Sequence, residues 1–593
     1  MEQLATNSAV HDAVTYDITV NNQPPDASLQ LLSLVVTKEI NKVPFAKMIF
    51  RDGSAADQTF AVSAEDLFVP GAPVLIRVGR DSNNTQVFKG IVIKHGIRIR
   101  ENGSTELHVE CRDEAVRMTI GRHSKYFENL SDSQLFDALV QGHKNLTSDP
   151  QSTSPVYREI VQHHISDWDF LLLRAEACGM LVKVDDGTVR VFVPDTSAKN
   201  KPVFTVTYGM SVLELEAEMD ARNQWQKVTA DAWDYSSQGL FTADTTQVSF
   251  SENGDIAGSD LALAMDLKAF ELHHSGHLIE QELQDWVNGA MLRSRMAKIR
   301  GRVKFQGTTG IVTGNMMDLE GLGGRFNGNV FVTAVRQEVG DGQWDTHVQF
   351  GLDPRRYAEL HNDDMADAAA AGLTGMIGGL QIGKVVQLQN DPDGEDRILV
   401  KVPTIDNNAR GIWTRVASLD AGKDRGAFFR PEINDEVIIG YINQDPRHAV
   451  MLGMLNSSAK PAPITAKDSN DKKGFTTRSK MHVSFDDGTN TITIDTPAGN
   501  SITLDESGQQ IKLADQNGNT ITMDPSGISL QSAMAISIQA GTDLTLSAGA
   551  TLSVGGASIS ASADGVLSLS GSGSAALSSS GITNITGSMV TIN

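Results

Sequence analysis

The sequence predicts a mainly β protein with some α-helix. The predicted parts are N-terminal β-barrel domains with helical insertions, an OB-fold barrel and a C-terminal trimeric β-helix shaped as a triangular prism. Many short strand signals, interrupted by a few helices, fill residues 1–360. Five short strands then follow within residues 380–458. From residue 475 onward, pairs of apolar residues separated by one residue recur every seven to ten positions. These three observations predict the fold class.

Residues 1–360 combine short strands with helices. Strand signals such as "APVLIRVGRD" and "TELHVECRD" are separated by turns such as "ENGS", which favours a barrel or a sandwich. Helical patterns interrupt the strands, and an α/β insertion is expected at about residues 125–200.

Three helices are predicted in this region. "SDSQLFDALVQGH" begins with an N-cap serine. In "SDWDFLLLRAEACGM", Ser166 is the expected N-cap, Asp169 completes an acidic variant of the capping box, and Gly179 ends the helix. The predicted apolar stripes are Phe170, Leu173 and Ala177 on this helix, and Ile279, Leu283, Trp286 and Ala290 on the helix in "GHLIEQELQDWVNGAMLRSRMAKIRG".

Two linkers separate the remaining parts. Residues 361–379 combine an acidic start, an alanine run and glycines, which is typical of a linker. Residues 380–458 contain five short strands with turns such as "NDPDGED", which suits an OB-type barrel. Residues 459–474 contain prolines and charges and form the second linker.

The periodic region, residues 475–593, is predicted to be a stack of short strands joined by glycine-assisted corners. Its apolar pairs are spaced by nine or ten residues at first, and by seven or eight from Ile528 onward. The residues predicted to point into the core of a trimer are Ile492, Ile494, Ile502, Leu504, Ile511, Leu513, Ile521, Met523, Ile528, Leu530, Ile536, Ile538, Leu544, Leu546, Leu552, Val554, Leu567 and Leu569.

A single chain cannot bury such a thin apolar strip. Each unit offers two apolar side chains, and no aromatic residue follows Phe485. Three copies winding about one axis would bury the pairs, so the pattern predicts a homotrimeric needle of about 60 Å. Two alternatives are a disordered Gly/Ser-rich linker and a calcium-binding β-roll. The regular β-branched pairs argue against the first, and the missing G-G-x-G-x-D repeat argues against the second.

The order of an OB-type barrel, a short linker and a prism resembles the VgrG family of type VI secretion systems. It is also similar to the spike proteins of phage-like contractile injection systems and to phage hub-and-needle proteins. The strongest single match is "RPEINDEVIIGYINQDPRHAVMLGMLNSSAKPAP". The resemblance implies a phage-hub-like N-terminal ring with pseudo-sixfold character, which adapts a sixfold tube to a threefold needle.

Composition excludes several function classes. Fifty basic and seventy-three acidic residues give a net charge of −23, which argues against a nucleic-acid partner and against an anionic membrane surface. The start "MEQLATNSAV" has no signal-peptide pattern. Two cysteines, Cys111 and Cys178, are too few for a disulfide framework or a zinc site and fit assembly in a reducing compartment.

Candidate reactive groups are weak, and no catalytic residue, metal ligand or cofactor is predicted. His273, His274 and His277 in "HHSGH" are expected in a solvated loop without matching ligands. "GLGGRFNG" (321–328) is expected to be a turn between strands and not a phosphate loop. Two pairs of carboxylates could suggest acid/base catalysis, but Asp185 and Asp186 are expected in a hairpin turn, and Asp363 and Asp364 in a linker. Cys178, considered with His163 and His164 for Cys–His catalysis, is expected to be a core residue at a helix end.

The resulting hypothesis is a structural spike that caps a tube, pierces a target envelope and carries a tip protein or effectors. The alternatives are a spike-associated cell-wall hydrolase with an unrecognised site in residues 1–360, and a trimeric surface adhesin. About sixteen residues separate Ser458 from Phe475, which is too short for an inserted enzyme domain. The chain also ends directly after Val590 and Ile592, where some family members carry a toxin domain.

The resemblance also implies partners and a location. Tube and baseplate proteins would contact the hub, effector cargo is possible, and the target membrane would be contacted transiently. A PAAR-type protein would cap the tip, with Val590, Ile592 and Asn593 as the expected docking residues. The particle would be assembled in the bacterial cytoplasm and delivered or released on firing.

Overall fold

The computed structural model describes residues 13–592 except residues 27, 102, 366 and 367. The chain forms two compact units. One runs to Arg430 and includes Ile439–Leu452, and the other comprises Pro431–Ile438 and the chain from Gly453 onward. Strands predominate over helices, as the sequence predicts. None of the helices in the described ranges is long and apolar enough to cross a bilayer.

The chain begins with six strands that pair antiparallel. They are β1 (Val14–Val20), β2 (Leu31–Glu39), β3 (Phe45–Arg51), β4 (Pro73–Arg80), β5 (Asn83–Ile99) and β6 (Thr105–Arg112).

An α/β insertion follows the first 3-10 helix, Glu114–Thr119. Its elements are β7 (His123–Ser131), α1 (Asp132–Gln141), β8 (Thr147–Pro150), β9 (Val156–Ile165), α2 (Asp167–Ala177), β10 (Leu181–Asp185) and β11 (Thr188–Phe192). Ser131 and Gln134 form a reciprocal capping box at the start of α1, which explains why the helix begins there. Ser166 caps α2 by accepting a hydrogen bond from the Asp169 backbone N–H.

The predicted apolar stripe of α2 is wrong at two of its three positions. Leu171, Leu172 and Ala175 are the most deeply buried residues of the helix, with Phe170 beside them. Leu173 and Ala177 are only half-buried. The helix packs against α1, β10 and two helices later in the chain, so its buried surface is wider than a single stripe.

The next segment returns to the first sheet. Its elements are β12 (Phe204–Thr207), β13 (Val212–Met219), β14 (Val228–Asp234), β15 (Gly239–Thr245), α3 (Gly258–Ala264), β16 (Phe270–His274), α4 (Glu280–Met296), β17 (Ile299–Gln306), β18 (Met316–Glu320), β19 (Gly328–Gly340) and β20 (Gln343–Phe350).

A twelve-stranded sheet organises this part of the chain. Its strand order is β1-β4-β5-β6-β3-β2-β19-β20-β17-β13, and β18 joins β19 to β12. One core contains Met48, Phe50 and Leu107, and a second contains Val303 and Phe350. On β3 the buried residues Ala46, Met48 and Phe50 alternate with positions that include the exposed Lys47 and Arg51.

Two smaller sheets support the insertions. Strands β15, β14 and β16 pack on α4 through Val287 and Met291. Helices α2 and α4 approach each other closely at Gly179 and Gly289, where an added Cβ on Gly289 would lie 2.6 Å from the Gly179 Cα. Glycine is therefore required at this crossing.

The OB fold is confirmed as a closed five-stranded barrel. Helix α5 (Tyr357–Met365), kinked at His361, and a 3-10 helix (Ala369–Gly372) precede it. The strands of this region are β21 (Gln381–Gln387), β22 (Ile398–Lys401), β23 (Ile412–Val416), β24 (Ala421–Gly422), β25 (Arg425–Gly426), β26 (Glu436–Tyr441) and β27 (Ala449–Met454). The barrel order is β21-β22-β23-β27-β26, with Val385, Ile398 and Val400 in its core.

The last sheet is a seven-stranded antiparallel meander, and the predicted trimeric β-helix prism is not confirmed. Its strands are β28 (Lys472–Thr476), β29 (His482–Asp486), β30 (Thr491–Asp495), β31 (Ser501–Asp505), β32 (Gln510–Ala514), β33 (Thr520–Asp524) and β34 (Gly527–Gln531).

Candidate functional site

The candidate functional site is the apolar face of the seven-stranded sheet. Each strand alternates polar and apolar residues, as in Thr491–Asp495 with its sequence TITID. Successive side chains of a strand point to opposite faces, so Ile492 and Ile494 share one face and Thr493 lies on the other.

The strand register aligns the apolar residues into two columns. Ile494 pairs with Ile502, and Ile492 pairs with Leu504. The first column contains Phe475, Val483, Ile494, Ile502, Leu513, Ile521 and Leu530, and the second contains Phe485, Ile492, Leu504, Ile511, Met523 and Ile528. The predicted core residues from Ile492 to Leu530 therefore lie on a single face.

These columns are open to solvent in a single chain. Ile502 is 40% exposed, Leu504 is 42% exposed and Ile528 is 69% exposed. Soluble monomers rarely expose so many neighbouring large apolar side chains without a partner. The exposed face is therefore a candidate interaction surface.

The opposite face is polar along its whole length. Its central column contains Ser484, Thr493, Thr503, Lys512, Thr522 and Ser529. Hydroxyl groups and one ammonium group suit contact with water. The two faces thus differ in polarity: one presents apolar columns and the other presents hydroxyl groups and the Lys512 ammonium.

Carboxylates stiffen the turns between the strands. Asp515 Oδ1 accepts hydrogen bonds from the backbone N–H groups of Asn517 at 2.9 Å and Asn519 at 2.8 Å. Its Oδ2 accepts one from the Asn519 side chain at 2.7 Å. The hydrogen bonds from Asn519 lower the pKa of Asp515, so the turn holds its shape with the carboxylate ionised.

Beyond Gln531 the apolar pairs continue without strands. Within the described residues 532–592, no segment pairs as a strand with another part of the chain. The predicted core residues of this part are exposed by 54% or more, and they are Ile536, Ile538, Leu544, Leu546, Leu552, Val554, Leu567 and Leu569. At the expected docking end, Val590 is 49% exposed and Ile592 is 86% exposed, and Asn593 lies outside the described residues.

An open groove of about 660 Å³ runs along the first apolar column. The residues that form its apolar lining are Ile494, Ile502, Leu513, Ile521, Leu530 and Ile536. The groove therefore extends from the strands into the segment that follows them.

The histidines of "HHSGH" are dispersed by the fold. His273 and His274 end β16, so they do not lie in a loop as expected. His273 lies 3.5 Å from Asp231, and His277 lies 3.4 Å from Asp234 and contacts the ring of Tyr235. No group of three or more His, Cys, Asp or Glu side chains is placed to hold a metal ion in the part of the chain that the structure describes.

Asp185 and Asp186 occupy the hairpin turn between β10 and β11, as predicted. Both carboxylates bind the Lys38 ammonium, which lies 3.1 Å from Asp186. Asp186 also accepts a hydrogen bond from the Lys89 backbone N–H. These contacts fix the turn to the first sheet. Asp363 and Asp364 were expected in a linker, but their backbone belongs to the helix Tyr357–Met365, and their side chains lie outside the described part of the structure.

Cys178 and the glycine-rich stretch have structural roles. Cys178 is the C-cap of α2, its thiol donates to Asp132 Oδ2 at 3.1 Å, and burial raises its pKa well above the usual range. His163 and His164 are exposed residues of β9. "GLGGRFNG" is the turn between β18 and β19, closed by a hydrogen bond from the Leu322 backbone N–H to Asn327.

Two polar clusters were not predicted. In one, Arg174 binds both oxygens of the buried Asp132, at 2.8 and 2.9 Å. In the other, Asp167 accepts hydrogen bonds from His123 at 3.0 Å, His143 at 2.8 Å and Gln162 at 2.7 Å.

Two protein-family models match the chain. The first, described as the Alg8 N-terminal domain, matches residues 10–341, which is more than half of the sequence. The second, described as the type VI secretion system/phage-baseplate injector OB domain, matches residues 381–455. This second match confirms the resemblance to spike proteins of contractile injection systems. None of the functionally curated proteins matches the sequence.

Several solved structures are similar at low identity. The 43 kDa tail protein of prophage MuSo2 from Shewanella oneidensis is 11% identical, with a TM-score of 0.44, 58% of this chain covered and 99% of that chain. The E. coli type VI secretion protein c3393 is 11% identical, with a TM-score of 0.34, 74% of this chain covered and 99% of that chain. A PdpA-VgrG complex is 10% identical, with a TM-score of 0.38, 88% of this chain covered and 98% of that chain.

Proposed function

The chain belongs to the Alg8 N-terminal domain family, and we propose that it is the hub and spike of a contractile injection system. The particle would be a type VI secretion system or a phage-tail-like device. The observation that carries this proposal is an injector OB domain followed by a sheet with an open two-column apolar face.

The open face fits a homotrimer. Three copies would turn their apolar columns toward a common axis, and their polar faces would meet water. Each half-exposed Ile or Leu gains about 1 kcal/mol on burial. The thirteen column residues of one chain would then contribute about 13 kcal/mol before the cost of association, which is of the order of 4–15 kcal/mol per step. Three chains would together contribute about 39 kcal/mol, which exceeds the cost of the two association steps, about 8–30 kcal/mol.

A trimeric prism of this kind suits a mechanical role. Contraction of an outer sheath would drive a tube with this needle at its leading end, so the needle must resist axial load. Bending the prism would break many backbone hydrogen bonds at once, which makes it stiff. The particle would be assembled inside a bacterial cell, with tube and baseplate proteins on the hub. The target membrane would be contacted transiently during firing.

The tip is proposed to bind a PAAR-type cap. The end of a stacked prism leaves backbone groups and apolar side chains without neighbours, and Val590 and Ile592 are exposed there. Deletion of residues 585–593 should abolish co-purification of the cap and leave the trimer intact. Retention of the cap by the shortened trimer would assign docking elsewhere.

No catalytic role is assigned. The alternative is a spike-associated cell-wall hydrolase with a site in residues 1–360. Incubation of the purified chain with peptidoglycan separates the two functions, because the spike hypothesis expects no soluble fragments. Turnover that a single point substitution abolishes would support the enzyme.

The trimer is tested by analytical ultracentrifugation of two matched variants. Ile502→Asp places a carboxylate on the apolar face, and Thr503→Asp places one on the opposite face of the same strand. We expect Ile502→Asp to shift the chain toward monomer, because three buried charges would meet on the axis. Thr503→Asp should remain trimeric. A trimer that both variants retain would refute the inward orientation of the columns.

A further inference from the structure

A small cavity of about 240 Å³ lies within the first unit, beside helix α4. It is bounded by the start of β16, by the residues that follow α2 and by residues 352–359. Its apolar lining consists of Trp225, Phe270, Leu272, Trp286, Ala290 and Leu292. These residues are separate from the apolar columns on which the spike proposal rests.

The aromatic side chains of this lining are only partly buried. Trp225, Phe270 and Trp286 pack at the margin of the core that contains Val287 and Met291. The rings of Trp225 and Phe270 are stacked, with centroids 4.5 Å apart and planes inclined by 8°. Aromatic rings pack favourably against one another in offset or edge-to-face arrangements. A cavity lined in this way therefore favours an aromatic ligand.

The volume limits the ligand to about one ring. An apolar cavity of about 150 Å³ binds benzene, so the cavity of about 240 Å³ accommodates a six-membered ring with a short substituent. Pockets that hold drug-sized ligands are larger, at about 300–1,000 Å³. A polypeptide segment would not fit.

The polar groups of the lining favour an anion. Both oxygens of Glu359 accept hydrogen bonds from Arg356, at 3.0 and 3.1 Å. Both oxygens of Glu176 are also occupied, by the Arg293 guanidinium and by a backbone N–H. The two terminal nitrogens of Arg356, in contrast, have no hydrogen-bond partner among the described residues. The Arg356 guanidinium lies 5.9 Å from the centre of the Trp286 ring, so a cation with free donors stands beside the aromatic lining.

We propose that this cavity binds a small monocyclic aromatic carboxylate of the arylacetic or arylpropionic acid class. The ring of the ligand would occupy the apolar lining, and its carboxylate would accept hydrogen bonds from the terminal nitrogens of Arg356. A guanidinium matches a carboxylate through two parallel hydrogen bonds. The proposal does not depend on the trimer, because all of these residues belong to one chain.

Isothermal titration calorimetry of the full-length chain tests the proposal. The probe is phenylacetate, and phenylacetamide is its uncharged isostere. We expect saturable binding of phenylacetate. Arg356→Met should weaken phenylacetate binding by about 10–100-fold, because it removes hydrogen bonds between charged groups. The same substitution should change phenylacetamide binding by less than about threefold, since the amide carries no charge for the guanidinium to bind.

A second variant tests the location. Ala290→Leu places a larger side chain in the cavity and should abolish phenylacetate binding. Gln281→Leu alters an exposed position of the same helix and should leave binding unchanged. Thermal melting checks that the variants are folded, and if Ala290→Leu is not, the two ligands compared on Arg356→Met decide the question.

Three results would overturn the proposal. The first is a parent chain that shows no saturable binding at about 10 mM phenylacetate, which is tenfold above a Kd of about 1 mM. The second is an Arg356→Met variant that does not distinguish phenylacetate from phenylacetamide. The third is a folded Ala290→Leu variant that binds phenylacetate as tightly as the parent.

Discussion

Replacement of Arg174 by methionine should strongly destabilise the α/β insertion. The Arg174 guanidinium binds both carboxylate oxygens of Asp132 and, at 3.0 Å, one oxygen of Glu282. It also lies 4.8 Å from the centre of the Tyr157 ring. Asp132 has no exposed side-chain surface. The arginine therefore neutralises a carboxylate that water cannot reach.

The magnitude follows from this burial. Burial alone would lower the pKa of Arg174, but the hydrogen bonds and charge of Asp132 raise it above the usual range. Methionine fills most of the volume of the Arg174 side chain but carries no charge. After the substitution, the Cys178 thiol is the donor that remains to the Asp132 carboxylate from this cluster. Removal of one partner of a buried ion pair costs about 3–5 kcal/mol. Replacement of both partners by apolar residues is close to neutral in other proteins, so Arg174→Met/Asp132→Leu should recover most of the loss.

Hydrogen exchange measured by mass spectrometry is the appropriate assay, because a chain with several domains does not unfold in one step. Amides of α1 and α2 should lose about 10²–10⁴-fold of their protection in Arg174→Met. Amides of the β28–β34 sheet serve as the internal control and should be unchanged. The reasoning fails if protection in α1 and α2 falls by less than about tenfold, or if the double variant is less protected than the single one.

Three further substitutions test other parts of the fold. Gly289→Ala should lower the free energy of unfolding by about 1–3 kcal/mol, because the added Cβ would meet the Gly179 backbone. Gly96→Ala is the control, since an added Cβ there meets open space and should be tolerated. Thermal melting compares the two variants. Burial raises the pKa of Asp167, but its hydrogen bonds with Gln162, His123 and His143 lower it overall. Its ionised form therefore stabilises the fold above about pH 4, and this stabilisation is lost as the pH falls below that value. Melting curves of Asp167→Asn should lie below those of the parent at about pH 7, and the difference should narrow as the pH falls below about 4. Lys298→Met should make residues 252–258 sensitive to protease, since the buried Lys298 ammonium binds their carbonyl groups; unchanged cleavage kinetics would contradict this.

Local features of the fold were predictable because their causes are local. Ser131 and Ser166 cap helices through atoms three residues away, so a short stretch of sequence contains the whole interaction. The alternation in Thr491–Asp495 likewise fixes which side chains share a face. The five strands of the OB barrel were recognisable because turn residues separate them.

The unpredicted features depend on residues far apart in the sequence. Arg174 and Asp132 are separated by forty-two positions, and Asp167 meets His123 across forty-four. No spacing rule brings such residues together, because the contact depends on how α1, α2 and β7 pack. The stripe on α2 was misplaced for the same reason, since a helix packed on two sides has no single apolar face.

The pairing of β28–β34 with one another within one chain was also not anticipated. The apolar spacing shows that strands stack, but it does not show whether a neighbouring strand belongs to the same chain. A repeat of nine or ten residues leaves four or five for a turn after a five-residue strand, which is enough to reverse direction. The register confirms that reversal from Lys472 to Gln531.

In the proposed trimer, association would cover the open apolar face and complete the burial that one chain lacks. A copy that has completed β28–β34 exposes two columns of large apolar side chains, and its edge strands β28 and β34 each have one unpaired side. Both features promote aggregation when they persist. Lys472 and Lys473 place charges on the β28 edge, which opposes pairing there with another chain. The β34 edge, Gly527–Gln531, carries no charged residue. Charge thus opposes pairing with another chain at the β28 edge, whereas no charged residue opposes it at the β34 edge.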